Sequence, residues 1–93
     1  MSAIGAVLGT LLLLFQLVLV ARLVVDWIGV LAPGPEPEWR RVARRVTHAP
    51  TEPVLAPVRR ILPPLRVGSV AIDLAFIVVF IAVVLLRQVV VLL

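Results

Sequence analysis

AIGAVLGTLLLLFQLVLVA, residues 3–21, is nineteen positions without a charge and with one amide, Gln16. As a helix it would measure ~28 Å, close to the ~30 Å hydrocarbon layer of a bilayer. The apolar character resumes past Arg22 and Asp26 as far as Ala32, where Pro33-Gly34-Pro35 stops it, and Trp27 suits a membrane–water boundary. A secretory signal would bring a basic stretch before the apolar run and a small-residue cleavage site after it. Here no basic residue precedes the run and Arg22 follows it. The segment is therefore expected to be a mature span.

Outward from this stretch, the second apolar run extends from Val67 to Leu93 and carries Asp73 and Arg87. The thirteen uncharged residues between those two make only ~20 Å of helix, too short to cross. At least one of the charges must lie at the hydrocarbon edge or snorkel out. The expected span covers residues 68–86, leaving Arg87 at the far interface. The whole chain then reads as one membrane domain, with spans at 3–32 and 67–88 around a connection at 33–66. Its expected fold class is all-α membrane: an antiparallel two-helix hairpin with short amphipathic helices in a cytoplasmic cap.

Composition supports a membrane solvent. The 93 residues are 62% hydrophobic, with mean hydropathy +1.20, whereas a soluble chain this short buries only ~60–65% of the surface it exposes unfolded. There is no cysteine, which excludes disulfides and thiolate chemistry, and His48 is the single histidine. A metal site, a haem site or any other cofactor is therefore not expected. Nor is catalysis. The hydroxyls are few, Thr51 reads as a helix cap rather than a nucleophile, and Gly29 and Gly34 form no phosphate-cradling loop.

All nine basic residues are arginine. Arg40, Arg41, Arg44, Arg45, Arg59, Arg60 and Arg66 lie in the connection, while Arg87 alone lies near the C-terminal end. Arginine bias thus predicts a cytoplasmic connection and both termini outside, in a multi-pass protein of the bacterial plasma membrane. Within the connection, residues 38–48 read as a helix. Trp39, Val42, Ala43 and Val46 form one face, and Arg40, Arg41, Arg44 and Arg45 the other, a pattern suited to anionic lipid headgroups. Nucleic acid is not expected as a partner, because lipid phosphates lie closer. Four prolines follow within Thr51–Pro64 and argue against a long helix. Thr51 and Glu52 resemble an N-cap and first-turn acid, Pro57 suits the first position of a short helix at 56–62, and His48 before Pro50 suits a C-cap.

Three segments carry a resemblance. Arg22-Leu23-Val24-Val25-Asp26-Trp27-Ile28, then Thr51-Glu52-Pro53-Val54-Leu55-Ala56-Pro57-Val58-Arg59-Arg60-Ile61-Leu62-Pro63-Pro64, then Ile72-Asp73-Leu74 resemble the YggT (YlmG) family of small membrane proteins, in its single-repeat form. Some members carry the unit twice. The chain departs from the pattern at Asp26, where many relatives have serine, and after Leu74, where many continue with serine or proline. The family has no agreed biochemical activity. The resemblance implies a role in organising cell-envelope or cell-division machinery, since members are encoded near such genes. Plastid relatives are linked to cytochrome b6 maturation and nucleoid organisation, and some enterobacterial members to osmotic tolerance.

Antiparallel spans would bring Arg22 and Asp73 to one level, ~7–8 Å inside the inner interface. An Arg22–Asp73 ion pair is therefore expected, with Asp26 sharing Arg22 or meeting a loop arginine. Pairing offsets much of the ~2.5–3.5 kcal/mol that a lone mid-span charge costs on insertion scales. Gly5 with Gly9, and Ala71 with Ala75, have the small-xxx-small spacing that lets helices approach, within the hairpin or between copies. The leading functional expectation is a membrane interaction or assembly protein. Its basic helix would hold lipid, and Thr51, Glu52, Pro53, Pro57, Arg59, Arg60 and Pro63 would face a membrane or division protein. The alternative is a homo-oligomeric ion or solute pathway using Asp73 and Arg22.

Overall fold

A computed structural model describes residues 2–32 and 34–93; Pro33, placed above at the start of the connection, lies outside the described residues. In chain order the elements are α1 (Ala3–Leu31), α2 (Glu38–Ile61), β1 (Leu65–Val67), β2 (Val70–Ile72) and α3 (Leu74–Val91). The protein is mostly helical, and α1 and α3 are each long and apolar enough to cross a membrane.

α1 begins where the Ser2 hydroxyl accepts the Gly5 amide at 3.0 Å. Its half-buried and buried positions include Gly5, Gly9, Leu12, Gln16 and Leu19, spaced four, three, four and three apart, which is one stripe of a helix. On α3 the corresponding stripe is Phe76, Val79, Val83, Arg87 and Val90. The two helices run antiparallel: the Ser2 amide donates to the Leu93 carbonyl at 3.1 Å, while Leu19 clusters with Phe76 and Val79 toward the other end of α3. At Gly5 the backbones almost touch, since a Cβ there would lie 3.0 Å from the Val90 carbonyl oxygen. Away from these stripes the helices are bare. Ile4, Leu11, Leu14, Leu17, Ile77, Ile81 and Leu85 are all exposed.

α2 corrects the reading of the connection. Residues 38–61 form one helix of 24 residues, with Pro50, Pro53 and Pro57 inside it, where two short helices at 38–48 and 56–62 were expected. The prolines lie within about 60° of one another around the helix, and all three are exposed. The bonds they delete belong to the open side, where water can satisfy the carbonyls of Val46, Ala49 and Pro53. The opposite side carries Thr47, Thr51 and Leu55, which are buried. Thr51 is not an N-cap; its hydroxyl lies 2.9 Å from the Thr47 carbonyl and 3.1 Å from that of His48, within the helix. His48 likewise sits mid-helix and caps nothing. Trp39, Val42, Val46, Val54 and Ile61 join the prolines on an exposed apolar face of about 120°.

The second long apolar helix also starts later than expected. Residues 65–72 form a two-stranded antiparallel hairpin, pairing Leu65 with Ile72, Arg66 with Ala71 and Val67 with Val70. Its turn is set by Gly68, whose φ of +61° a side chain would strain. The all-α expectation therefore needs this small β element added. α3 begins at Leu74 because the Asp73 carboxylate accepts the Phe76 amide at 3.2 Å as N-cap. The three helices meet at Leu19, Leu55, Phe76, Val79 and Val83, flanked by Leu12, Phe15, Val58 and Phe80. Leu19 and Leu55 are fully buried.

Candidate functional site

α1 offers Arg22 and Asp26 from one side, four apart and so one above the other. α2, running past them in the opposite direction, presents His48, Thr51, Glu52 and Arg59. The cap of α3 supplies Asp73. These seven residues form one connected set of polar contacts at the place where all three helices converge.

Arg22 is its centre. The residue is 4% exposed; Nη2 lies 2.9 Å from Glu52 Oε1, and Nη1 donates to the Thr51 hydroxyl at 2.7 Å. Nε faces Asp26 Oδ2 at 3.9 Å, a Coulombic contact without a hydrogen bond, and has no hydrogen-bond partner. Asp26 Oδ1 in turn lies 3.1 Å from His48 Nε2. On the other flank Arg59 grips Glu52 with two nitrogens, at 3.1 and 3.3 Å, and reaches Asp73 Oδ2 at 3.6 Å. The sequence of contacts is His48–Asp26–Arg22–Glu52–Arg59–Asp73.

The expected Arg22–Asp73 pair is therefore not made. Each finds its counter-ion on α2: Glu52 for Arg22, Arg59 for Asp73. Asp26 does share Arg22, and its second partner is His48 rather than a loop arginine. Arg59 beside Glu52 holds that carboxyl below the usual carboxylate range, with burial opposing and Arg22 adding to the effect. Glu52 in return raises Arg59. In this set three carboxyl side chains, Asp26, Glu52 and Asp73, face two guanidinium groups, Arg22 and Arg59.

The basic face of α2 divides in two. Arg40 is buried and lies 3.8 Å from Glu36, which also takes Arg44 at 3.0 Å. Arg41 and Arg45 are exposed, and with Arg44 and His48 they line a shallow hollow. Trp39 is exposed on the adjoining apolar face. Of the motif residues, Thr51 and Glu52 are turned toward the core, while Pro53, Pro57, Arg60 and Pro63 are exposed. Among the described residues no group of three or more His, Asp or Glu is placed to hold a metal ion.

A polar contact between α1 and α3 is also absent from the expectations. Arg87 Nη1 donates to Gln16 Oε1 at 2.6 Å, joining α3 to α1. The available signal was that Gln16 is the one amide of residues 3–21 and Arg87 the one charge of α3. The Glu52 and Arg59 partnership was hidden for another reason: an i, i+7 pair needs an unbroken helix, and the prolines argued against one.

A family model described as CCB3/YggT matches residues 1–93, the full length. No curated protein and no solved structure matches the chain.

Proposed function

This chain belongs to the CCB3/YggT family, and from that premise we propose that it is a membrane interaction protein which displays α2 as a docking face at the cytoplasmic surface. α1 and α3 span the plasma membrane as an antiparallel hairpin, with residues 2 and 93 outside. The arginines of α2 face the inner leaflet, and a membrane or division protein docks on the exposed Pro53–Pro57–Arg60 side. Such a protein organises envelope or division machinery by holding a partner, without chemistry of its own.

The observation that carries this reading is the clamp. Six charged or titratable groups fasten the inner side of α2 to both spans, while Trp39, Val42, Val46, Val54 and Ile61 on its outer side are exposed among the described residues. A helix fixed so firmly on one face and so bare on the other is built to present a surface. An oligomeric pathway through Arg22 and Asp73 ranks second, because both side chains are already engaged, Arg22 by Glu52 and Asp73 by an amide and Arg59.

The test is in-cell photocrosslinking from Val54 and Ile61, both exposed; Val58 packs on the core and is unsuitable. A defined envelope or division protein, captured from wild type and lost when Arg60 becomes Glu, supports the reading. Capture of lipid alone, or only of further copies of this chain, overturns it.

A further inference from the structure

Every carboxylate side chain of this protein lies between residues 26 and 73: Asp26, Glu36, Glu38, Glu52 and Asp73. Arg87 lies fourteen residues beyond the last of them, ~21 Å along α3. Among the described residues it makes no ion pair, and its one side-chain partner is the neutral Gln16 oxygen. Side chains on a helix lean toward its N-terminus, so Arg87 leans away from the nearby outer end of α3 and toward the middle of the helix pair. Its acceptor belongs to a residue ~20 Å along α1 from Ala3. A guanidinium has five N–H donors, and this half-buried one has a single neutral acceptor at the seam.

We propose that Arg87, steadied by Gln16, is an intramembrane docking site for a carboxylate borne by the transmembrane helix of a different protein. The inference rests on the two-span reading above, but it concerns a surface within the bilayer rather than the cytoplasmic face of α2.

Charge chooses the occupant. A second copy in the same orientation brings another Arg87 to this depth and no acid, so self-association repels where it should neutralise. An inverted copy is opposed by seven arginines in the connection. A lipid phosphate sits at the headgroup level, whereas the 2.6 Å bond to Gln16 draws the guanidinium inward. An Asp or Glu on a neighbouring helix, at the depth of Gln16, meets both the charge and the position, and a carboxylate can take two guanidinium N–H groups at once.

The test uses the full chain in phosphatidylcholine vesicles at pH 8, with a labelled leucine-rich transmembrane peptide carrying one Asp at the depth of Gln16. An otherwise identical Asn peptide is the control, and association is read by energy transfer. Wild type should hold the Asp peptide about tenfold more tightly than the Asn peptide. Arg87→Gln should abolish that preference. Gln16→Leu, which leaves the charge but frees Arg87 to move toward the headgroups, should weaken it. Equal association of the two peptides with wild type, a preference that survives in Arg87→Gln, or one left undiminished in Gln16→Leu would each overturn the proposal. So would its disappearance in phosphatidylglycerol-rich vesicles, which would identify lipid phosphate as the occupant. Resistance of the reconstituted chain to alkaline extraction is checked in parallel. A chain that fails to insert defeats the two-span reading, whereas one that inserts without preference defeats only this proposal.

Discussion

Arg22 carries its charge into the tightest part of the protein, and its stability depends on neighbours that all belong to one contact set. Removing one partner of a buried pair leaves the other uncompensated, so Arg22→Gln should cost about 3–5 kcal/mol in reversible unfolding from detergent or bicelles. A loss below about 1 kcal/mol would mean that Arg22 is hydrated. Glu52 gives the set a pH signature. Its folded pKa is depressed by Arg59 and Arg22, so its stabilising contribution is complete above the unfolded carboxylate range, near ~4.3, and is lost as pH falls through the folded value. The stability difference between wild type and Glu52→Gln should therefore be flat from pH 7 to pH 5 and shrink below that. A difference that grows on acidification would contradict the assignment. Asp73 separates two roles. Asn retains the cap on Phe76 and loses the charge toward Arg59, while Ala loses both. Asp73→Ala should be the more destabilising by about 1 kcal/mol in the same unfolding measurement.

α2 is the element on which reasoning from sequence and the folded chain part company, and the reason lies in where the prolines point. The apolar runs of α1 and α3 were legible because length and composition alone decide them; α1 ends within one residue of the expected boundary. Proline, in contrast, was read as a break, although a helix tolerates it where the freed carbonyl faces water. Pro50, Pro53 and Pro57 share such a side, so α2 continues. With its continuity hidden, Thr51 looked like a cap and Asp73 like an embedded charge awaiting Arg22. Asp73 instead starts a helix that the apolar run had placed five residues earlier. Spin labels at Arg45 and Arg60, both exposed, report on this directly. Fifteen helical residues place the two backbone sites ~22 Å apart, and a narrow distance distribution centred there is expected. A broad or shortened one would restore the two-helix connection. Gln16 with Arg87 was illegible for a different reason: each is a single exception in its own run, and only the antiparallel register pairs them.

Across the whole molecule, charge and apolar surface separate, which on the two-span reading decides how it would meet lipid. The seven arginines of residues 40–66 lie at one end and Arg87 alone toward the other, so anionic lipid should gather around α2. Each basic residue near a charged leaflet contributes about 1 kcal/mol. Replacing Arg41 and Arg45 together with Gln should weaken the preference for phosphatidylglycerol about tenfold or more, read as its enrichment over phosphatidylcholine in the lipid retained by the purified chain. Unchanged enrichment would place α2 away from the leaflet. The bond from the Ser2 amide to the Leu93 carbonyl has a consequence of its own kind. On the two-span reading proposed above, it brings residues 2 and 93 together on one side, so the polypeptide leaves the fold where it entered. A gene duplication could therefore string two such units through a short joint, each arriving in the same sense as the last, with no extra crossing to reset its sidedness. Growth by tandem repetition is topologically free for this fold, as it would not be for a chain of one or three spans.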